Sequence, residues 1–217
     1  AGPWTRSTAS FLDSRAHPQA TSGTKKIYPN QIWLDGLYMA QPLFICSMKQ
    51  NKQLQKLYGS YEQFLNVYQL MRDTRNGLYY HAYDDSRRMF WCDKVTGLSD
   101  TFWLKPWLVR HGPDRHHGSH ARIHGLPEGA AERIYKELID AMLPYQDQAT
   151  GMWYQVETGG GIAPNYLEES GSAIFAYAIM KSVRLHYLPD DYFKYAKRHL
   201  REYAAHTSPR RRSLQLG

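Results

Sequence analysis

Asp35 is the residue whose surroundings most clearly indicate chemistry. It is the single acidic residue in the run 31–44, Gln-Ile-Trp-Leu-Asp-Gly-Leu-Tyr-Met-Ala-Gln-Pro-Leu-Phe, which is otherwise mainly aromatic and apolar. Because burial of an unpartnered carboxylate charge is costly, a carboxyl group in such a run is expected to keep its proton. A protonated carboxylic acid among aromatic rings can donate a proton in the hydrolysis of a sugar derivative. The alternative is a structural carboxylate that backbone groups or an arginine satisfy.

Trp33 stands two residues before this acid. On a helix the two side chains would point about 200° apart, so both can line one pocket only if Trp33 lies near the helix start or in the entry loop. Pro29 restricts the preceding residue to an extended conformation, and Asn30 is a favourable N-cap. We therefore predict a helix that begins after Asn30 and carries Asp35 in its second turn.

His81 lies in a second aromatic stretch, residues 79–84, Tyr-Tyr-His-Ala-Tyr-Asp. Tyrosine rings offer flat apolar faces to the C–H bonds of a sugar, while their hydroxyl groups can hydrogen-bond the sugar hydroxyls. This stretch therefore indicates a sugar-stacking surface in which Asp84 or Asp85 could orient His81. A histidine that only packs or forms structural hydrogen bonds is the alternative.

Five histidines between residues 111 and 124 suggest a metal site at first sight. His116 and His120 have the i, i+4 spacing of helical zinc ligands, as do His120 and His124. Glycine and proline residues interrupt the same segment and disfavour a helix, and no cysteine stands with the histidines to complete a ligand set. The sequence therefore predicts no metal ligand.

The elements that must position these residues are helices. Apolar residues recur with helical spacing in five segments, which we predict to be helices: 31–48, 52–71, 130–146, 165–187 and 190–205. Residues 76–81 and 150–155 share the order polar, Gly, apolar, aromatic, aromatic, polar, and each run follows an amphipathic helix. This similarity predicts a repeated helix–loop–helix unit, as in a closed α/α toroid whose equivalent loops build one pocket. Chance similarity between two aromatic turns is the alternative.

Composition limits the class of protein. The 217 residues allow one domain, 1–217, and the net charge of +7 comes mainly from two basic segments without apolar periodicity, 104–127 and 206–217. We expect both to be atypical and candidates for disorder. Their only aromatic residue is Trp107, so base stacking is poorly supported and no nucleic acid is expected as a partner.

No apolar stretch approaches the roughly 20 residues of a membrane span. The first residues lack an apolar signal core, which favours a cytoplasmic chain and leaves secretion as the alternative.

Four motifs stand in order along the chain: Tyr-Pro-Asn-Gln-Ile-Trp-Leu-Asp-Gly-Leu-Tyr-Met at 28–39, Gly-Leu-Tyr-Tyr-His-Ala-Tyr-Asp at 77–84, Gly-Met-Trp-Tyr-Gln-Val at 151–156, and Asn-Tyr-Leu-Glu-x-Ser-x-Ser-Ala at 165–173. Together they resemble glycoside hydrolase family 105, the unsaturated rhamnogalacturonyl hydrolases, which are close relatives of the unsaturated glucuronyl hydrolases. The resemblance covers about residues 25–103 and 131–198. It implies an all-α fold, the (α/α)6 barrel, and a chain of this length is expected to be incomplete and to lack the first helices.

The resemblance also implies an activity. Family members remove a 4-deoxy-4,5-unsaturated galacturonyl residue from the non-reducing end of rhamnogalacturonan or pectin-derived oligosaccharides by hydrating its vinyl ether. Asp35 matches the general acid/base, no cofactor takes part, and a small oligosaccharide is the expected partner. Lys105 stands where the family has an arginine for the uronate carboxylate, and supplies charge without the bidentate fork. The implied substrate-binding side chains are Trp33, His81, Trp103, Lys25 and Lys105.

Two other functions stay open on the sequence. One is an inactive or truncated homologue that keeps the helical scaffold and binds sugar weakly or not at all. The other is a basic protein that binds polyanions through the segments 104–127 and 206–217, whose binding would weaken as salt rises.

Overall fold

Five α-helices make up about half of the chain that the computed structural model describes, residues 30–53, 57–104 and 130–207. They are α1 Leu34–Gln50, α2 Leu57–Met71, α3 Ala130–Met142, α4 Glu169–Arg184 and α5 Phe193–Thr207. Two pairs of short antiparallel strands lie between them: β1 Gln31–Trp33 with β2 Ala82–Asp84, and β3 Trp153–Tyr154 with β4 Leu167–Glu168. All five predicted helices are present, with ends that differ by a few residues.

The start of α1 corrects one prediction. Asn30 is not the N-cap, because residues 31–33 form β1 and Trp33 caps the helix in an extended conformation. Asn30 has a φ of +68°, a left-handed conformation that asparagine tolerates better than most residues. Residues 31–33, which were expected to begin the helix, instead pair with β2, about fifty residues later in the chain. The helix α1 itself includes Pro42 and is not interrupted there.

Helical periodicity explains which faces are buried. On α3 the buried side chains are Tyr135, Leu138, Ile139 and Met142, a spacing of three and four residues. On α4 the buried positions follow the same period and include several small residues: Gly171, Ser172, Phe175, Ala176, Ala178, Ile179 and Ser182. Small side chains let neighbouring helices approach closely, and α4 packs against α5 along its length.

Trp153 lies at the centre of the core. Its side chain is fully buried, its ring meets that of Phe175 edge-on at 4.5 Å, and its indole Nε1 donates to the carbonyl of Met142 at 2.9 Å. A buried indole N–H needs such a partner, because an unsatisfied polar group would offset the gain from burying the ring. This side chain therefore joins the loop after α3 to the inner face of α4.

The repeated loops share one backbone conformation. In Asp73–Leu78 and in Asp147–Met152 the first residue donates its N–H to the carbonyl of the sixth, and the glycine in fifth place donates back to the first. The loop Asp93–Leu98 has the same two hydrogen bonds. The three glycines have φ values of +68° to +80°, where a Cβ would cause strain: Gly77, Gly97 and Gly151. The two loops predicted to be similar therefore share one backbone conformation, and a third loop has it as well, whereas the larger helix–loop–helix repeat stays a prediction.

The two basic segments fall largely beyond this description. Residues 105–127 and 208–217 lie outside the described residues, whereas Leu104 is buried and 206–207 end α5. Among the helices that the structure describes, none combines the length and apolarity needed to cross a membrane.

Candidate active site

The junction between β1 and α1 places Asp35 beside the second aromatic stretch. In the strand pair Trp33 lies opposite Ala82, and the N–H of Leu34 donates to the carbonyl of His81 at 3.2 Å. Asp35 is therefore the second residue of α1, in its first turn rather than its second. This hydrogen-bonded corner brings together Trp33, Asp35 and His81, which are separated by up to 48 residues in the sequence.

Asp35 is itself half-buried, and its carboxylate oxygen Oδ1 has no access to solvent. The side chain thus lies at the boundary between the packed interior and the surface, where a bound molecule could reach it. The expectation that Asp35 keeps its proton stays a prediction.

Four rings form a continuous row that runs through Trp33 and His81. The ring of Trp103 stacks on that of His81 with a centroid distance of 4.9 Å and an interplanar angle of 14°. His81 meets Trp33 edge-on at 5.3 Å, and Trp33 meets Trp91 at 5.0 Å and 61°. We call these four residues, Trp103, His81, Trp33 and Trp91, the aromatic row. Such a row offers the flat apolar surfaces that sugar rings stack on.

Hydrogen bonds hold the row in place. The indole Nε1 of Trp33 donates to Oε1 of the buried Gln31 at 2.9 Å. The backbone N–H of His81 donates to the carbonyl of Thr101, and Trp103 pairs with Val156 in a β-bridge. The row is therefore anchored both to the first strand pair and to the loop before β4.

Trp91 is the member of the row that the sequence analysis did not single out. It lies in the turn 85–92, which folds around the fully buried carboxylate of Asp84. That carboxylate accepts hydrogen bonds from the backbone N–H groups of Arg88 and Met89 at 2.8 and 3.0 Å and from the hydroxyl of Ser86. A sequence signal was present, since an acid followed by Ser and then by two exposed basic residues is typical of a side-chain-stabilised turn. The contact with Trp33 itself could not be deduced from spacing.

Electrostatics in this turn follow from those hydrogen bonds. Burial raises the pKa of Asp84, but the N–H groups of Met89 and Arg88 and the side chain of Ser86 outweigh burial and hold the pKa below its usual value. Asp85 accepts from the hydroxyl of Tyr83 at 3.1 Å. Asp84 and Asp85 were the candidates for orienting His81. Their carboxylates instead accept hydrogen bonds from the turn 85–92 and from Tyr83 in β2.

The remaining candidates are not all within the described chain. Lys25 and Lys105 lie outside the described residues, so their predicted contact with the substrate carboxylate stays a prediction. The histidine-rich segment 111–124 also lies outside them. Within residues 30–53, 57–104 and 130–207, no three His, Cys, Asp or Glu side chains converge in a way that could hold a metal ion.

Helical hairpins with aromatic rings around a half-buried carboxylate are typical of glycoside hydrolases built on an α/α barrel. The chain belongs to Glycosyl Hydrolase Family 88, whose family model matches residues 6–109 and 124–211. The unmatched stretch between these ranges lies inside the atypical segment 104–127.

Three individual proteins are similar to this chain. The 24.9 kDa protein in picA locus of Rhizobium radiobacter is 35% identical over 129 residues, which are 57% of this chain and 52% of that protein. The glycoside hydrolase from family 105 of C. acetobutylicum ATCC 824 is 33% identical with a TM-score of 0.79, over 89% of this chain and 54% of its own. The unsaturated glucuronyl hydrolase from Bacillus sp. GL1 is described as responsible for the degradation of glycosaminoglycan. It is 14% identical with a TM-score of 0.61, over 89% of this chain and 51% of its own.

These similarities confirm the predicted family resemblance and the all-α (α/α)6 barrel fold. The chain spans about half the length of the relatives that it matches. It is thus a member of a glycoside hydrolase family.

Proposed function

We propose that this chain contributes the catalytic acid of a hydrolase that removes an unsaturated galacturonyl residue from the non-reducing end of rhamnogalacturonan-derived oligosaccharides. The observation that carries the proposal is the corner between β1 and α1, which brings the backbone at the start of α1, where Asp35 is the second residue, next to that of His81. Family membership supplies the reaction class, and the aromatic row supplies a surface for sugar rings.

Asp35 acts first as an acid and then as a base in this proposal. Its carboxyl group donates a proton to C4 of the C4=C5 double bond, and the positive charge that develops at C5 is shared with the ring oxygen. The resulting carboxylate accepts a proton from water while the water oxygen bonds to C5. The hemiketal formed in this way opens to a C5 ketone and leaves a hydroxyl group on C1. This C1 hemiacetal collapses to an aldehyde, its C1–O glycosidic bond breaks, and the glycosidic oxygen takes the hydroxyl proton and leaves as an alcohol with the rest of the oligosaccharide. One positioned side chain can serve both steps because the proton it gives up is returned by the attacking water.

The galacturonyl substrate class is supported by two features. Four sequence motifs resemble family 105, and the solved family 105 enzyme is 33% identical to this chain, against 14% for the glucuronyl hydrolase. The three ring systems Trp33, His81 and Trp103 would hold the uronate ring, with Lys25 and Lys105 as cations for its carboxylate.

The test measures loss of the ultraviolet absorbance of the C4=C5 double bond with the unsaturated galacturonyl–rhamnose disaccharide. Asp35→Asn preserves size and removes the exchangeable acid proton, so the rate is expected to fall about 100- to 10,000-fold, the usual contribution of a general acid/base. The matched control is Asp191→Asn, the same chemical change at an exposed position in the single helical turn before α5.

Two results would contradict the proposal. Normal turnover by Asp35→Asn would remove this residue from the chemistry. Absence of turnover by the wild-type chain, with sugar binding retained, would favour the inactive homologue that the sequence left open.

A further inference from the structure

The turn 85–92 carries an aromatic side chain that the proposed reaction does not use. Phe90 is 91% exposed, the highest value among the large hydrophobic residues in the described part of the chain. It directly precedes Trp91, whose ring contacts Trp33 in the aromatic row. A single exposed apolar side chain is common on protein surfaces, so its position next to Trp91 in the chain is what draws attention to it.

The backbone around Phe90 is held firmly. Besides the hydrogen bonds to the carboxylate of Asp84, the carbonyl of Met89 accepts from the N–H of Cys92 at 3.3 Å and from the ammonium group of Lys94. Cys92 then pairs with Ser99 in a β-bridge. Phe90 is therefore presented to solvent by an ordered turn. A ring presented in this way loses little additional entropy when a ligand covers it.

The two ends of the aromatic row differ. At one end Trp103, which is 39% exposed, has a face covered by the stacked ring of His81, and its backbone pairs with Val156. At the other end Trp91 contacts Trp33, and its neighbour in the chain, Phe90, is almost fully exposed. A saccharide whose terminal uronate lay beside Asp35 would extend toward solvent, and these two adjacent aromatic residues are available to contact it.

We propose that Phe90 and Trp91 form a stacking wall for the sugar residue on the leaving-group side of the cleaved bond. This inference rests on the proposed function, since it takes the uronate to lie beside Asp35. It makes the second sugar a specificity determinant: the chain should prefer an oligosaccharide over a uronate that carries only a small leaving group. The ligand class is a neutral or acidic pyranose joined to the unsaturated uronate.

The test compares two probes, the unsaturated galacturonyl–rhamnose disaccharide and the methyl glycoside of the same unsaturated uronate. Dissociation constants are measured by calorimetry in an Asp35→Asn background, so that turnover does not affect the titration. Loss of one stacked ring should weaken binding of the disaccharide by about 3- to 10-fold in Phe90→Ala and leave the methyl glycoside unchanged. Val95→Ala is the matched control, because Val95 is another exposed apolar residue, 76% accessible, on the following loop.

A second variant distinguishes the loss of the ring from a change in the conformation of the turn 85–92. Phe90→Tyr keeps a ring and should retain disaccharide binding within about twofold of the parent, whereas Phe90→Ala should show the full weakening of about 3- to 10-fold. Equal weakening of both probes by Phe90→Ala, no weakening of either, or no binding of either probe to the parent would each overturn the stacking wall. Failure of the proposed reaction is a different observation, since it appears as absent turnover in the wild-type chain.

Discussion

The start of α1 and the aromatic row form a small unit that the pairing of β1 with β2 holds together. The N–H of Leu34 donates to the carbonyl of His81 and extends this pairing to the first residue of α1. The rings of Trp33 and Trp103 both contact that of His81, one edge-on and one stacked. His81 is therefore the central member of the site, which makes it the residue to test.

His81→Ala should lower kcat/KM for the unsaturated disaccharide by at least about tenfold, because it removes two ring contacts and lets both tryptophans shift. His81→Phe restores a ring of similar size without the imidazole nitrogens. We expect His81→Phe to recover thermal stability but not activity, if the imidazole also contacts the sugar. Steady-state kinetics and thermal unfolding of the same samples provide the two measurements.

A suitable control for His81 is His186→Asn. His186 is exposed and has a φ of +62°, which asparagine accommodates, so this variant should change neither rate nor stability. Full activity in His81→Phe would show that His81 only packs, the alternative that the sequence left open.

The elements are organised by three loops of identical backbone hydrogen bonding. Each has an aspartate in first place and a left-handed glycine in fifth place, as in Asp93–Leu98. Gly97 also hydrogen-bonds through its carbonyl to the N–H of Asp84, at 2.8 Å. The third loop therefore supports the start of the turn 85–92, and through it the position of Trp91.

Gly97→Ala should destabilise the protein by about 2–4 kcal/mol, since a Cβ there would lie 2.6 Å from the backbone oxygen of Asp84 in a left-handed conformation. Gly161→Ala is the matched control: its Cβ would meet only the hydroxyl of Tyr154 at 3.4 Å, outside the left-handed region. We expect the control to change the free energy of unfolding by less than about 0.5 kcal/mol. Urea unfolding of both variants measures the difference, and equal effects would contradict the role assigned to the loop.

At the scale of the whole molecule, the same loops make stability depend on pH. A hydrogen bond from Arg75 lowers the pKa of the buried Asp73 to about 2. Burial raises the pKa of Asp147, but hydrogen bonds from Thr150 outweigh it and lower the pKa overall. A carboxyl group with a depressed folded-state pKa stabilises the fold fully above its unfolded value, about 3.9, and loses this effect as pH falls through the folded value.

The free energy of unfolding should therefore decrease as pH falls from about 4 to about 2. Asp73→Asn should remove up to about 2 kcal/mol of that decrease, an upper value because Arg75 is largely exposed and solvent screens the pair. Urea unfolding at several pH values between 5 and 2.5 measures the slope. The exposed Asp191→Asn should retain the wild-type slope, and an unchanged slope in Asp73→Asn would contradict the prediction.

Much of the fold could be predicted from local patterns. Apolar spacing indicates all five helices, and the polar-Gly-apolar-aromatic order indicates two of the three repeated loops. The third loop, Asp93–Leu98, was missed because an aromatic pair does not follow its glycine. The shared signal is the aspartate four residues before the glycine, whose side chain accepts hydrogen bonds from the loop.

The sequence by itself determined the kinds of residue available for chemistry: a lone acid in an aromatic run and a histidine among tyrosines. Residue type and local spacing are properties of short segments, so they can be interpreted without a fold. Only the tertiary structure decided that β1 precedes α1, that Asn30 is not its cap, and that Trp91 completes the aromatic row. The physical reason is that strand pairing and ring contacts join residues about 50–60 positions apart, and such contacts depend on how the intervening chain packs.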